Sequence, residues 1–370
     1  MNYYIIAGEK SGDLHGSNLI RAIRQEDATA AFRGIGGEQM RKEGLTLFMD
    51  FAQINFFGFW EVFVNLPSLF KAMKATKQDI TAFRPDVLIL IDFAGYNLRM
   101  AAFAKEKGIK VFYYISPKVW AWNTKRAYKI KRLVDKMFVI LPFEVGFYKQ
   151  FDYQVDYVGN PIMDAITNFR PQPDFANRHQ LIEKPIIALL PGSRASEVEK
   201  LLDLMLRLPE HFPAYQLVVA GVSSLPTSLY EPALEAGIHV VMDSTYDLLS
   251  VAESAVVASG TATLETGLFR VPQVVVYKVS YISYEIARRL VRVRDIALVN
   301  LITDKIIVKT LLQKELTEEH LVEELRKTLE GGSARQGILK DYEELATAIG
   351  GPGASEKAGK LMVNYLRSSK

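Results

Sequence analysis

Short apolar runs alternate with helical patterns along most of the chain, and this alternation constrains the fold more than any other feature. In the first half, strands are predicted at Tyr3–Ala7, Val87–Ile91, Lys110–Ile115, Lys136–Leu141 and Val155–Val158. In the second half, they are predicted at Ile186–Leu190, Gln216–Ala220, His239–Met242, Ala255–Ala258 and Gln273–Tyr277. Such alternation produces a parallel sheet covered by helices on both faces. The sequence therefore predicts an α/β protein with two doubly wound parallel-sheet domains that face a cleft.

The chain has 370 residues, which is long enough for two domains. The polar stretch Thr167–Lys184, which contains two prolines, is the predicted linker between them. We therefore expect a first domain over residues 1–166 and a second over residues 167–340. The tail beyond Glu315 is charged and helical, and its last helix, about residues 340–370, is expected to pack back on the first domain.

Composition and missing motifs exclude several classes of protein. Cys is absent, so neither a disulfide framework nor a thiolate metal site is expected. The formal charge is +3, which indicates no global electrostatic partner. The N-terminus lacks the basic segment of a signal peptide, and no uncharged apolar run reaches the roughly 18 residues of a spanning helix. The five His are scattered and the motifs D-x-D, H-E-x-x-H and G-x-S-x-G are missing, so we expect no metal and no other cofactor.

The segment Ile186–Leu206 predicts a buried strand, a Pro-Gly-Ser-Arg turn and a helix. Ser196 and Glu199 have the spacing of a capping box at the start of that helix. Free N–H groups at a helix N-terminus attract anions, and an Arg side chain grips phosphate with two hydrogen bonds. Gly192, Ser193 and Arg194 are thus candidates for a diphosphate site. The alternative is an ordinary turn with a surface Arg.

A second turn of this kind is Ser259–Glu265, which follows a predicted strand and begins a helix. Its glycine and small hydroxyl residues let a ligand approach the helix N-terminus closely. Glu265 lies one to two turns into the helix, where it is suited to accept hydrogen bonds from vicinal hydroxyls such as those of a ribose. Together with the first turn it predicts a nucleotide-diphosphate pocket that includes Ser259, Gly260, Thr261 and Thr263.

The first predicted strand ends in Gly8–Asp13, a glycine-containing loop that matches neither a Walker A loop nor G-x-G-x-x-G. Asp13 is a plausible N-cap of the helix that follows. Such a loop suits a polar ligand, and a plain strand-to-helix turn is the alternative. Gly34–Gly37 is predicted to be a second, weaker Gly-rich turn.

Asp92 directly follows the buried run Val87–Ile91, so its carboxylate is expected at the carboxyl end of a central strand. Ligands of open parallel sheets bind beyond those ends. Asp92 is therefore a candidate general base, with a pKa tuned by burial. The alternative is an Asp that caps a helix or braces a loop.

Basic and aromatic residues alternate after the next strand, in Ile115–Trp122 and on to Arg132. This pattern fits nucleic-acid binding, an anionic lipid headgroup or a solvated basic face. Upstream, Ile54–Leu66 is dense in aromatic residues, so some of them are expected to be exposed. Phe56, Phe57, Phe59 and Trp60 are the candidates for membrane or acyl-chain contact, with Lys71, Lys74 and Lys77 nearby to attract anionic lipid. The alternative places this segment in the core or in a dimer interface.

Seven motifs in this order resemble those of the lipid-A-disaccharide synthases, which are inverting glycosyltransferases of the GT-B type with two Rossmann-like domains. The resemblance covers about Tyr4 to Gln313, which is most of the chain. The motifs are AGEKSGD, GIGG, YISPKVWAW followed by KR, LPFE, VGNP, LLPGSR with EV, and ASGTATLE.

The resemblance implies transfer of 2,3-diacylglucosamine from UDP to 2,3-diacylglucosamine 1-phosphate, which forms a β-1,6-linked disaccharide 1-phosphate and UDP. Asp92 matches the catalytic carboxylate of the family, but Gly95 stands where the family usually has a second acid. Glu9, Ser11, Asp13, Asn97 and Asn300 match positions on the substrate side, and Arg194, Ser259, Thr263 and Glu265 match the donor side.

The resemblance also implies where the protein works and what it contacts. We expect a cytoplasmic enzyme, peripherally associated with the inner membrane of a bacterium that has an outer membrane. No nucleic-acid partner is expected. A homodimer that exchanges C-terminal segments is compatible with the family.

Two other functions stay open at the level of sequence. A UDP-N-acetylglucosamine 2-epimerase of the same fold would act on a soluble substrate and needs no exposed apolar patch. A non-catalytic binder of anionic polymers would use Lys118–Arg132 and would need neither Asp92 nor a nucleotide pocket.

Overall fold

The computed structural model describes residues 1–54, 66–181, 184–279 and 295–368. The chain divides into two compact units. The first comprises Met1–Asp164 together with Gly351–Lys370, and the second comprises Ala165–Gly350. The boundary therefore lies at Asp164, slightly before the predicted linker, and only the last twenty residues return to the first unit.

The first unit is built on a parallel sheet of seven strands with the order β3-β2-β1-β4-β5-β6-β7. The strands are β1 Asn2–Ala7, β2 Ala31–Gly36, β3 Leu45–Asp50, β4 Val87–Ile91, β5 Lys110–Tyr114, β6 Lys136–Val139 and β7 Asp156–Tyr157. Its helices are Lys10–Glu26, Glu38–Lys42, Leu66–Phe83, Ala94–Glu106, Val119–Trp122, Arg126–Leu133, Phe143–Lys149 and Ala354–Arg367, with a 3-10 turn at Phe51–Gln53. The helix Pro161–Asn168 crosses into the second unit.

The second unit is built on a parallel sheet of six strands with the order β10-β9-β8-β11-β12-β13. The strands are β8 Ile186–Leu190, β9 Gln216–Gly221, β10 His239–Met242, β11 Ala252–Ala258, β12 Gln273–Tyr277 and β13 Thr310–Leu312. Its helices are Phe175–Arg178, Ala195–Met205, Glu231–Glu235, Thr245–Val251, Thr261–Leu268, Leu298–Thr303, Glu318–Thr328 and Arg335–Ile349. Leu208–His211, Thr227–Tyr230 and Gln313–Glu315 are 3-10 turns.

The central strands β4 and β8 are buried along their whole length, because helices cover both faces of each sheet. This accounts for the uninterrupted apolar runs VLILI and IIALL. The predicted fold class, two doubly wound parallel sheets, is confirmed.

The strand order reverses between β1 and β4 in the first sheet, and between β8 and β11 in the second. At these switch points the helices leave the sheet on opposite sides, which opens a crevice beyond the strand ends. Ala7 pairs with Ile91 at the first switch point, and Leu190 pairs with Val257 at the second. The loops after β1, β4, β8 and β11, which hold most of the predicted site residues, therefore begin at a switch point.

The prediction of a turn at Gly34–Gly37 was wrong. Gly34 and Gly36 belong to β2, and only Gly37 lies outside it. A Cβ on Gly34 would lie 1.9 Å from the carbonyl oxygen of Ile5 in β1, so these two strands approach too closely for any side chain there. The glycines serve strand packing rather than a loop.

The last helix, Ala354–Arg367, packs on the first helix, Lys10–Glu26. Met362 and Leu366 join Leu19 and Ile20 in a shared buried cluster. A Cβ on Gly359 would lie 2.9 Å from the Cβ of Ala22, which shows how closely the two helices approach. The N-terminal unit is thus completed by the C-terminal end of the chain.

Candidate active site

Asp92 and the loop after β1 lie side by side because β1 and β4 are neighbours. Gly8 and Phe93 are in direct contact, since a Cβ on Gly8 would lie 2.2 Å from the Phe93 ring. Glu9 is the first residue before the helix Lys10–Glu26, and Ser11 donates a hydrogen bond to it over 3.2 Å. The structure thus brings the predicted residues Glu9, Ser11 and Asp92 to one point.

The backbone at Asp92 is held in an uncommon conformation. Asp92 and Phe93 have φ angles of 44° and 46°, in the left-handed region that side chains disfavour. Such strain costs of the order of 1–3 kcal/mol per residue and persists only where the surroundings enforce it. It re-aims the Asp92 side chain relative to the strand that precedes it.

Two side chains enforce this conformation through the backbone carbonyl of Asp92. The amide of Asn97 donates to that carbonyl over 2.8 Å and to the carbonyl of Ile91 over 3.1 Å. The hydroxyl of Tyr113 donates to the same Asp92 carbonyl. Asn97 is completely buried, so the structure gives it a positioning role behind Asp92.

Burial raises the pKa of the Asp92 carboxyl from its ordinary value of 3.8 to about 6, with a further rise from the negative charge of Glu9 and an opposing effect of Lys118. Glu9 also hydrogen-bonds with Asp92, which favours the protonated form of one partner. A carboxylate with a pKa near 6 is still ionised at neutral pH and is more basic than an ordinary Asp. Those are the properties of a general base.

Asp13 does not cap the first helix, so that prediction was wrong. The helix begins at Lys10 with Glu9 as its N-cap, and Asp13 lies inside it. The Asp13 carboxylate accepts from the N–H groups of Gly37 at 2.7 Å, Gln39 at 3.0 Å and Met40 at 3.1 Å. It therefore fixes the start of the following helix, and its 4% exposure leaves little room for a ligand.

The loop after β5 is held by buried polar residues that the sequence did not single out. Ser116 and Tyr148 are joined by a hydrogen bond of 2.6 Å, and Glu144 accepts from the N–H of Leu141 at 3.0 Å. Burial raises the pKa of the fully buried Glu144 to about 7, against the lowering effect of its hydrogen bonds. Lys118 in this loop is exposed, and its charge acts on Asp92.

In the second unit, the Pro-Gly-Ser-Arg turn follows β8 and the Ser-Gly-Thr turn follows β11, its neighbour in the sheet. Gly192 has a φ of +121°, which favours glycine strongly. Both turns feed helix N-termini, Ala195–Met205 and Thr261–Leu268. The structure therefore places two helix ends at one switch point, as the diphosphate prediction requires.

The capping box predicted for Ser196 and Glu199 was wrong. Arg194 is the N-cap, and Glu197 is the residue that folds back. Its carboxylate accepts from the N–H of Ser193 at 3.1 Å and from the guanidinium of Arg194 at 3.0 Å. Glu197 escaped prediction because the helix begins earlier than the Ser196 spacing implied.

The hydroxyl groups of the second turn mainly brace the structure. Ser259 donates to the carbonyl of Ile296 at 2.9 Å, and Thr263 donates to that of Gly260 at 2.8 Å and accepts from the N–H of Leu298 at 3.2 Å. Thr261 is exposed, and a Cβ on Gly260 would meet nothing within 4 Å. Gly260 and Thr261 are thus the accessible part of this turn.

Glu265 accepts a hydrogen bond from Tyr246 at 2.8 Å. Tyr246 itself packs against Phe169 and Phe269, with ring centroids 5.6 and 5.0 Å away. Burial raises the pKa of Glu265, although the Tyr246 hydrogen bond lowers it. The result is a carboxylate in an apolar surrounding, oriented by one hydroxyl, which suits the binding of vicinal hydroxyls.

Asn300 is a structural residue in this fold. Its amide donates to Asp295 at 2.8 Å and to the carbonyl of Val308 at 2.9 Å. Its oxygen accepts from the N–H groups of Ile307 at 2.9 Å and Val308 at 3.1 Å. Since these four bonds use its full hydrogen-bonding capacity and it is buried, Asn300 shapes the 295–308 region.

Among residues 1–54, 66–181, 184–279 and 295–368, no three His, Cys, Asp or Glu side chains are grouped so as to hold a metal ion. In the same part of the chain, no helix combines the length and the apolar character needed to cross a bilayer. The candidate membrane residues Phe56, Phe57, Phe59 and Trp60 lie outside the described residues.

The two doubly wound parallel-sheet units define a fold of the GT-B type. Solved structures of this architecture superpose over nearly the whole chain. One is UDP-GlcNAc 2-epimerase from Neisseria meningitidis bound to UDP-GlcNAc, with a TM-score of 0.68, 12% identity and 100% of both chains covered. Another is the glycosyltransferase of kitacinnamycin, with a TM-score of 0.64, 12% identity and 99% of both chains covered. At such identities the likeness shows the fold alone.

Sequence comparison identifies the family. Residues 3–364 match the family described as lipid-A-disaccharide synthetase. The lipid-A-disaccharide synthases of Geobacter metallireducens and Syntrophus aciditrophicus are each 37% identical to the chain; the alignments cover 98% and 99% of it, and 96% and 98% of those proteins. That of Myxococcus xanthus is 36% identical, with 98% and 97% covered. The chain belongs to the lipid-A-disaccharide synthase family, which confirms the resemblance; the epimerases share only the fold.

Proposed function

We propose that the chain transfers 2,3-diacylglucosamine from UDP to the primary hydroxyl of 2,3-diacylglucosamine 1-phosphate, with inversion at the anomeric carbon and without a metal ion. The observation that carries this proposal is that the two switch points hold different chemical groups. The first holds a strained, basic carboxylate, and the second holds two anion-attracting helix ends with an Arg. Family membership gives the substrates.

The donor side of the proposal rests on charge. As the glycosidic bond breaks, negative charge develops on the departing diphosphate. The guanidinium of Arg194 and the N–H groups of the Pro-Gly-Ser-Arg and Ser-Gly-Thr turns supply the complementary positive potential. Glu265 is the proposed acceptor of hydrogen bonds from the ribose hydroxyls, and its hydrogen bond with Tyr246 supports this role by orienting the carboxylate.

The acceptor side rests on Asp92. A primary hydroxyl is a weak nucleophile, and inversion requires a base on the face opposite the leaving group. The proton passes from the hydroxyl oxygen to the Asp92 carboxylate while that oxygen bonds to the anomeric carbon and UDP leaves. Glu9 and burial keep Asp92 basic enough to accept the proton, and Asn97 and Tyr113 fix its direction.

Because its proposed substrates carry acyl chains, the enzyme must bind them at a bilayer surface. One face of the first unit has the residues that such membrane binding needs. The helices Leu66–Phe83, Ala94–Glu106 and Arg126–Leu133 pack side by side on the same core. Their outer surface exposes Phe70 and Tyr128, at 60% and 62% exposure. Lys71, Lys74, Lys125, Lys129, Lys131 and Arg132 are exposed there too. A basic surface with large apolar side chains favours anionic lipid, which supports peripheral association with the inner membrane of a bacterium that has an outer membrane.

The deciding experiment measures UDP release with the acylated donor and acceptor in Arg194→Ala. Loss of one preorganised charge donor should lower kcat by about 10²-fold or more. Arg207→Ala is the matched control, because Arg207 is another exposed Arg that lies two residues beyond the end of the same helix and pairs with Asp203 at 3.2 Å and Glu318 at 3.7 Å. It should keep the normal rate.

Near-normal turnover in Arg194→Ala, or a strict requirement for added Mg²⁺ in the wild type, would contradict the metal-free donor site. Epimerisation of UDP-N-acetylglucosamine at a rate comparable with transfer would instead favour the second function considered from sequence.

A further inference from the structure

The Pro-Gly-Ser-Arg turn already holds a carboxylate. Glu197 accepts from the N–H of Ser193 and from the guanidinium of Arg194, the two groups that the donor's diphosphate would use. The Glu197 side chain is 21% exposed, whereas that of Arg194 is 69% exposed. The acid therefore lies on the inner side of the turn and the Arg reaches over it.

The position of this carboxylate is set by the glycine of the turn. A Cβ on Gly192 would lie 2.5 Å from Oε2 of Glu197. The space that glycine leaves above the turn, which would admit a phosphate oxygen, is therefore filled by a carboxylate oxygen. Burial raises the pKa of the Tyr277 hydroxyl at the end of β12; the charge of Glu197 raises this pKa further and that of Arg194 lowers it, so both side chains lie near this hydroxyl.

We propose that the Glu197 carboxylate occupies the place of the donor's diphosphate when no nucleotide is bound. Glu197 must leave the turn when the nucleotide binds, and it weakens the binding of UDP more than the binding of the UDP-sugar. The proposal rests on the proposed function, since it assumes that the nucleotide occupies this turn.

The difference between the binding of UDP and that of the UDP-sugar follows from the charges of their phosphates. In a UDP-sugar each phosphate carries one negative charge, because both are diesters or anhydrides. Bond cleavage leaves a terminal phosphate with a second ionisation near pH 6, so UDP carries close to one additional charge at neutral pH. A nearby carboxylate repels the product more strongly than the substrate. Glu197 thereby favours exchange of product UDP for a new donor.

A positioning role for Glu197 makes the opposite prediction. If its main effect were to hold Arg194 ready for phosphate, then removing the charge would release Arg194 and weaken binding of both nucleotides. The two roles are separated by the sign of the change in affinity.

The experiment measures the Kd of UDP and of UDP-N-acetylglucosamine by calorimetry in the full-length wild type, Glu197→Gln and Glu199→Gln. Glu199→Gln is the matched control, since it removes the same charge from an exposed position two residues further along the helix. In Glu197→Gln we expect UDP to bind about tenfold tighter at pH 7.5 and UDP-N-acetylglucosamine about threefold tighter. In Glu199→Gln both constants should stay within about twofold. Circular dichroism verifies that each variant is folded.

Weaker or unchanged UDP binding in folded Glu197→Gln, or equal tightening of both nucleotides, would refute the proposal. If the wild type binds UDP normally in that case, the donor site stands and only the role of Glu197 is lost. If neither the wild type nor any variant binds UDP, the donor site and the role of Glu197 both fail.

Discussion

Replacing Asp92 with Asn should slow catalysis strongly and stabilise the first unit at the same time. As the proposed base, Asp92 contributes roughly 10²–10⁴-fold to the rate, and Asn cannot accept the proton. The same carboxylate is desolvated and faces Glu9, so its ionised form destabilises the fold. Asn has almost the same shape and carries no charge.

The magnitude follows from the pKa of Asp92. Folding raises it from 3.8 to about 6, so the folded state holds the proton more tightly than the unfolded state. The stabilising effect of that proton is complete below pH 4 and is lost as the pH rises through 6. Each pKa unit corresponds to 1.36 kcal/mol, so the ionised group costs up to about 3 kcal/mol at pH 8. Asp92→Asn should regain much of this at pH 8 and almost none at pH 4.

The assay is urea denaturation followed by tryptophan fluorescence. All three tryptophans, Trp60, Trp120 and Trp122, fall between residues 1 and 164 of the sequence, so the signal reports the unit that contains Asp92. UDP release from the acylated substrates gives the rate in the same preparations. Glu199→Gln is the control for removal of an exposed acid, for which the change in unfolding free energy should stay within about 0.5 kcal/mol.

Two outcomes would refute this reasoning. Full activity in Asp92→Asn would remove Asp92 from the mechanism. An inactive variant that is no more stable than the wild type at pH 8 would show that the fold does not strain this carboxylate.

Two further predictions concern the first unit. Glu9→Gln removes the negative charge that is the second cause of the raised pKa of Asp92. The acid limb of the plot of kcat/KM against pH should therefore move below pH 6, while burial keeps it above pH 3.8. An acid limb that does not move would contradict the coupling of the two carboxylates. Lys129→Glu combined with Arg132→Glu should weaken binding to anionic vesicles, measured by co-sedimentation, by about 30-fold or more, since each of the two lost cations contributes about 1 kcal/mol near such a surface. Lys340→Glu, on an exposed position of the second unit, should leave sedimentation unchanged, and equal loss in both proteins would refute a specific basic face.

The central strands could be predicted from the sequence, because a strand that is buried on both faces requires a continuous run of apolar residues. Val87–Ile91, Ile186–Leu190 and Gln273–Tyr277 were predicted with their observed bounds. The strands β2, β3 and β13 were not predicted. β3 lies at the edge of its sheet and is buried only at Leu45. β2 contains Arg33 and two glycines, and β13 has only three residues, so neither shows an apolar period.

The candidate site was predictable as loops but not as contacts. Glu9, Asp92 and Arg194 follow buried strands, and strand ends gather at one edge of a parallel sheet. Asp13 binds N–H groups of residues 37–40, and a pairing across 24 to 27 residues leaves no local pattern. Asn300 and Glu197 bind residues within eight positions of them, but the shape of the 295–308 region and the start of the helix at Ala195 do not follow from residue spacing.

The helix Ala354–Arg367 belongs to the unit that the first residues of the chain begin. During synthesis on the ribosome, residues 165–350 therefore emerge and are able to fold while the first unit still lacks its last helix. Until that helix arrives, Leu19 and Ile20 lack part of their apolar cover, and the carbonyl of Glu26 lacks the Arg367 hydrogen bond of 2.7 Å. The unit with the proposed base is complete only once residues 354–367 are present, so a nascent or truncated chain that stops before them would hold the proposed donor-binding turns without a complete first unit.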